Sequence, residues 1–120
     1  MDLTKDAILS VQDLDTTAVE VPEWGGTVYV RTMTGAERDY FETAIMKRSN
    51  NGQFDISGLR VQIVILTACD AGGSLLFDEA DFDSLSQKSS SALNRVCEVA
   101  QRINGIMDID NESVEDAKKN

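Results

Sequence analysis

The chain has 120 residues, 42% of them hydrophobic, and 21 acidic against 11 basic side chains, a net charge of −10. A chain of that size buries roughly two thirds of its unfolded surface, so a single domain over residues 1–120 can build a core without metals or crosslinks. The acidic balance excludes the clustered Lys and Arg that contact phosphates, so no nucleic-acid partner is expected. The absence of histidine removes the commonest general base and metal ligand.

The N-terminus, Met1-Asp2-Leu3-Thr4-Lys5-Asp6, lacks a charged stretch followed by an apolar one. No apolar run reaches the about 20 residues of a bilayer span, so a cytosolic protein without a membrane partner is expected. Cys69 and Cys97 both sit in apolar helical patterns and read as buried thiols in a reducing compartment.

In chain order, Thr4 to Val11 suits a short helix with Thr4 as N-cap and Ala7, Ile8 and Val11 on one face. Asp13 to Thr17 breaks it. Residues 18 to 32 read as a hairpin whose two-residue loop is Gly25-Gly26. That loop pairs Val21 with Val30 and sets Glu20 opposite Arg31, a favourable charge pair. Pro22 cannot donate to a ladder, so its strand belongs at a sheet edge. Thr34 and Glu37 form a capping box opening a helix with Ala36, Tyr40, Phe41, Ala44 and Ile45 on one face. Ser49 to Gln53 is a polar loop.

Leu59 to Cys69 is the most apolar stretch, with eight of eleven side chains apolar and Arg60 its one charge. Alternation of Leu59, Val61, Ile63 and Ile65 suits a buried strand. Its length, with Ser57-Gly58 before it and Asp70-Ala71-Gly72-Gly73 after, favours a core helix. Leu75 to Phe77 suits a short strand, and Asp78 to Leu85 a brief helix with Asp78 as N-cap. Ser89 to Ser91 then starts the best-patterned helix, with Ala92, Leu93, Val96, Cys97, Ala100 and Ile103 on one face, Glu98, Gln101 and Arg102 largely outside, and Asn104-Gly105 as its stop. Asn111 or Ser113 opens a last acidic helix that frays over about residues 111–120. The fold class is α+β, a mostly helical single domain with a small β-hairpin or sheet near the N-terminus.

Catalytic chemistry does not emerge from these residues. No catalytic, cofactor-binding or metal-binding residue is assigned, and no cofactor is expected. Two acidic clusters, Asp78 to Asp83 and Asp108 to Asp116, invite a calcium reading. An EF-hand loop counted from Asp108 has Ser113 where position six needs Gly and Lys119 where position twelve needs Glu. Helix capping explains both clusters better. Core packing is the stronger reading for Tyr40 and Phe41. Trp24, beside the hairpin loop, either folds over the sheet or anchors an interface. The candidate partner-contact residues are Trp24, Tyr29, Arg31 and Tyr40, placed beside a groove between the hairpin and the Thr34 helix.

Two blocks carry a resemblance. One runs Val21-Pro22-Glu23-Trp24-Gly25-Gly26, then Val28, Val30 and Arg31, then Thr34-Gly35-Ala36-Glu37-Arg38-Asp39 with Phe41-Glu42. The other steps through Leu76-Phe77, Asp81, Leu85, Ser89, Leu93, Ala100 and Asn104-Gly105. In that order they resemble the tail assembly chaperones of long-tailed bacteriophages, over roughly residues 15 to 120. The resemblance implies a non-enzymatic protein of the host bacterial cytoplasm that binds the long, helical tape measure protein while the tail tube forms, and is absent from the mature virion. It implies the major tail tube protein as a second contact and leaves a homo-oligomer open. It also implies a longer product made by ribosomal frameshifting, with which the codons of Lys118-Lys119-Asn120 are compatible. The alternatives are an acidic DNA mimic that inhibits a nucleic-acid enzyme, and a structural tail or connector subunit.

Overall fold

The computed structural model describes residues 1–48 and 58–106. Its elements in order are helix α1 (Lys5–Ser10), strands β1 (Thr16–Val21) and β2 (Gly26–Arg31), helices α2 (Gly35–Arg48) and α3 (Leu59–Thr67), strand β3 (Ala68–Cys69), and helices α4 (Phe82–Ser86) and α5 (Ser90–Asn104). The strands form one antiparallel sheet in the order β1-β2-β3. The α+β expectation holds. The expected Ser49 to Gln53 loop and the acidic helix after Asn111 lie outside the described residues.

α3 is the centre of the core. Every one of its residues except Arg60 is buried, Gln62 and Thr67 included. Helix α5 packs on α3 and crosses the inner face of β1 and β2, while α2 and α4 flank α3. Val19, Val21 and Val30 come from the sheet, Phe41 from α2, Leu85 from α4, and Ala92, Leu93, Val96, Cys97 and Ala100 from α5. Each large apolar side chain removed from water contributes about 1.5–3 kcal/mol. The α5 face read from sequence is buried from Ala92 to Ala100 with Ile103 half-buried, but Gln101, expected outside, is buried too. Ser89 is the N-cap and Gly105 is left-handed at φ 64°.

Four further expectations are corrected. The helix from Leu59 stops at Thr67, whose hydroxyl donates back to the Ile63 carbonyl at 2.7 Å. Ala68 and Cys69 are extended instead, paired with Val30 and Tyr29. A strand partner remote in sequence thus takes the two residues that local pattern assigns to the helix. Next, the hairpin register shifts: Val21 faces Gly26, Glu20 faces Thr27, and Arg31 faces Thr16. The cause is Pro22, which opens a 3-10 turn (Pro22–Trp24) closed by left-handed Gly25 (φ 75°), so the loop is longer than two residues. β1 is nevertheless an edge, as expected. Leu75 to Phe77 makes one isolated bridge, Cys69 to Leu75, because Asp70 folds the preceding residues into a turn: its carboxylate accepts from the Gly72 and Ser74 amides at 2.9 and 3.0 Å. Finally, Tyr40 is 49% exposed, because the buried stripe of α2 is narrow and filled by Phe41, which is 1% exposed.

The predicted caps are present. Thr34 Oγ1 accepts from the Glu37 amide at 3.1 Å and Glu37 Oε1 from the Thr34 amide at 2.9 Å. Asp78 and Asp81 form a second capping box, with bonds of 2.9 Å from the Ala80 and Asp78 amides. Those carboxylates of the first acidic cluster are thereby occupied, and Glu79 accepts from Gln62 Nε2 at 2.6 Å.

Candidate functional site

The 3-10 turn after β1 sets the position of Trp24. Glu23, beside it, accepts from Arg95 Nε of α5 at 2.9 and 3.1 Å, so the turn is tied to the helix below it. Its own backbone amide, and then Arg95, hold the Glu23 carboxyl below its ordinary 4.5. Trp24 is half-buried and packs on the core from the rim. Across from it the chain returns from β3 and enters α4, bringing Phe77 and Leu85. Trp24, Phe77, Leu85 and Lys88 line a hollow of about 310 Å³, apolar but for the lysine. Leu85 is its buried floor, Trp24 and Phe77 its half-buried walls, and Lys88 its exposed edge. Such a surface suits an apolar side chain carried on a partner with an anionic flank.

The other candidates do not gather there. Tyr29 is half-buried and faces Ala18 on one side and Cys69 on the other. Strand alternation puts it on the face opposite Val28 and Val30. Arg31 is an internal strut: Nη1 donates to the Gly73 carbonyl at 2.8 Å and Nη2 donates to Glu37, joining β2 to the start of α2 and to the turn after β3. Tyr40 stands on α2. Burial pushes the Cys69 thiol up from 9.0, with the Arg31 charge opposing. Both cysteines are buried and neither forms a disulfide.

Sequence reasoning missed Phe77, Leu85 and Lys88 as neighbours of Trp24. A signal existed for one of them. Phe77 precedes the Asp78 N-cap and Phe82 follows it four residues on, the spacing of a hydrophobic staple that fixes how the chain enters a helix. A second polar hollow, of about 250 Å³, is lined by Arg60, Ser90, Ser91 and Asn94, and Arg60 Nε donates to Asn94 there at 3.0 Å.

The described residues thus define a class by fold: a single α+β domain with a three-stranded antiparallel sheet under the long helix α5. Within that class, the chain is similar to the solved structure of the bacteriophage HK97 tail assembly chaperone, with a TM-score of 0.59, 18% identity, and coverage of 86% of this chain and 95% of that one. At that identity the likeness is one of fold. No protein-family model matches the chain, and no curated protein matches it significantly.

Proposed function

We propose that this protein is a phage tail assembly chaperone, a non-enzymatic factor whose client is the tape measure protein and whose second contact is the major tail tube protein. It acts in the host cytoplasm and is absent from the finished virion. The observation that carries this reading is the fold likeness, which extends over 95% of the HK97 chaperone. The Trp24 hollow supports it physically, since an amphipathic helical client needs an apolar seat on a soluble, charged surface. Trp24 is the anchor, Phe77 and Leu85 the seat, and Tyr40 a separate exposed contact on α2.

The test is titration with helical segments of a phage tape measure protein. Binding should persist from about 50 to 500 mM salt, because the contact is apolar. Trp24→Ala should weaken it at least tenfold, as loss of a buried aromatic anchor does. Unchanged affinity in Trp24→Ala would remove the hollow from the account, and no binding by the parent would remove the client. Co-purification of a host nuclease with steep salt dependence would instead favour the acidic mimic, and recovery with finished tails a structural subunit.

A further inference from the structure

The sheet ends on an open edge. β1 pairs with β2 on one side, and among the described residues no strand lies along its other side. The bond from the Thr32 amide to the Asp15 carbonyl, at 3.0 Å, sets the parity of the ladder. Backbone direction alternates along a strand, so Thr17, Val19 and Val21 turn their amides and carbonyls toward β2, and Thr16, Ala18 and Glu20 turn theirs outward. Three amides and three carbonyls stand in a row about 13 Å long, at 3.3 Å per residue. Among the described residues none of these groups meets a hydrogen-bond partner. Edges in folded proteins are commonly blunted by a lysine, a proline or a bulge. β1 has none of these: its register with β2 runs unbroken from Thr16 to Val21, and Pro22 comes only after it.

We propose that this edge receives an extended, basic segment of a partner protein as a fourth strand, with a lysine or arginine of that segment seated against Glu20. Backbone pairing along an open edge supplies affinity, and side chains at alternate positions supply choice of partner.

Charge identifies the occupant. Between Lys5 and Arg31 the chain has no basic residue, while Asp6, Asp13, Asp15, Glu20 and Glu23 are acidic. Asp13 and Asp15 are exposed just before the strand, and Glu20 is exposed near its far end. Arg95 is taken by Glu23, and Arg31 is turned to Glu37 and the Gly73 carbonyl. Glu20 has no ion pair among the described residues. It is the one charge lining a hollow of about 220 Å³, shared with Pro22, Gly26 and Thr27. No atom lies within 4 Å of where a Cβ on Gly26 would stand, so the space is open. Pro22 offers an apolar ring to the methylene stem of a lysine or arginine whose head meets the carboxylate. A second copy of this chain is a poor occupant, because it would bring the same acids to the same edge. The edge shares no residue with the Trp24 hollow, so Trp24→Ala should leave this contact unchanged and either reading can fail alone.

The probe is an end-capped octapeptide of alternating Lys and Val, added to isotope-labelled full-length protein at about 150 mM salt. In the free protein the amides of Thr16, Ala18 and Glu20 should exchange with solvent at least about tenfold faster than that of Val19, which is bonded to β2. Saturating peptide should slow them by at least about tenfold and leave Val19 unchanged. Ala18→Pro removes one outward donor at a position that an edge strand tolerates, and should abolish the slowing with Trp24 emission unchanged. Glu20→Lys, on an exposed side chain, should weaken the peptide at least about tenfold and admit an octapeptide of alternating Glu and Val. Edge amides already as slow as Val19 in the free protein would mean that the chain itself or a second copy covers the edge, and would overturn the proposal. So would amides that the peptide does not slow, or a Glu20→Lys variant with the parent's affinity. Equal binding of the same peptide N-methylated at each lysine backbone nitrogen, which keeps the charge and loses the ladder, would overturn it too.

Discussion

Asn104 offers the sharpest test of how the sheet is fixed to the helical layer. Its Oδ1 accepts from the Met33 amide at 2.7 Å, and its Nδ2 donates to the Ala100 carbonyl at 2.9 Å and the Arg31 carbonyl at 3.4 Å. One side chain thus holds the connection from β2 to α2 against the end of α5. Asn104→Ala leaves the Met33 amide without its acceptor in a half-buried setting, at a cost of about 1–3 kcal/mol, and the lost donations raise the total to roughly 2–3 kcal/mol. The Arg38 contact to the Asn104 carbonyl, at 2.7 Å, survives because it uses backbone. Urea unfolding followed by Trp24 emission at fixed protein concentration should show this loss at unchanged m-value, with a fall in melting temperature on the order of 10 °C. Asn104→Asp keeps the acceptor but sets a carboxylate against two carbonyls at a helix C-terminus. It should match the alanine variant at neutral pH and regain ground on the parent below about pH 4, where it protonates. An alanine variant within about 0.5 kcal/mol of the parent would refute the reasoning, as would an aspartate variant whose deficit ignores pH.

Phe41→Ala should cost about 3–5 kcal/mol in the same unfolding assay, as for a fully buried aromatic; a cost below about 1 kcal/mol would mean that the site collapses freely. Because folding raises the Cys69 pKa above 9.0, the folded state keeps a proton that the unfolded state releases. Stability from this group is present below that value and declines as pH rises through the raised folded value, so the parent should lose more stability than Cys69→Ala as pH rises above 9.0; parallel curves would count against the shift. Glu23 has the opposite sign: its contribution is present above 4.5 and is lost as pH falls through its lowered folded value. Its carboxyl carbon, followed by NMR, should titrate below 4.5, and Arg95→Gln should restore only part of the shift, because the backbone amide is the larger cause.

What sequence made legible was whatever is local or periodic. The capping box at Thr34, the Asp78 cap and the α5 face from Ala92 to Ile103 depend on residues within one or two turns of each other, and those readings match the structure. What escaped was remote, save for one local turn. Ala68 and Cys69 leave the helix because Val30 and Tyr29 offer a ladder, which no window around residue 68 contains. Gly25-Gly26 looks like a two-residue loop until Pro22 is seen to begin the turn, making Gly26 a strand residue. Asn104 reads as part of a helix stop, yet its bond to Met33 crosses most of the chain. The hollow was half legible: Trp24 stood out as an aromatic beside a turn, but its neighbours Phe77, Leu85 and Lys88 arrive from beyond α3.

The burial of α3 also bears on how the protein is made. Its largest packing partner, α5, is completed only at Asn104, well after Thr67 has been added. At 5–20 residues per second that interval is about 2–7 s. During it, the most apolar stretch of the chain has only the hairpin and α2 as earlier-made cover. Substitutions that weaken the grip of α5 on α3, such as Val96→Ala or Ala100→Ser, should therefore lower the soluble yield from cells by more than their effect on the melting point of the purified protein implies.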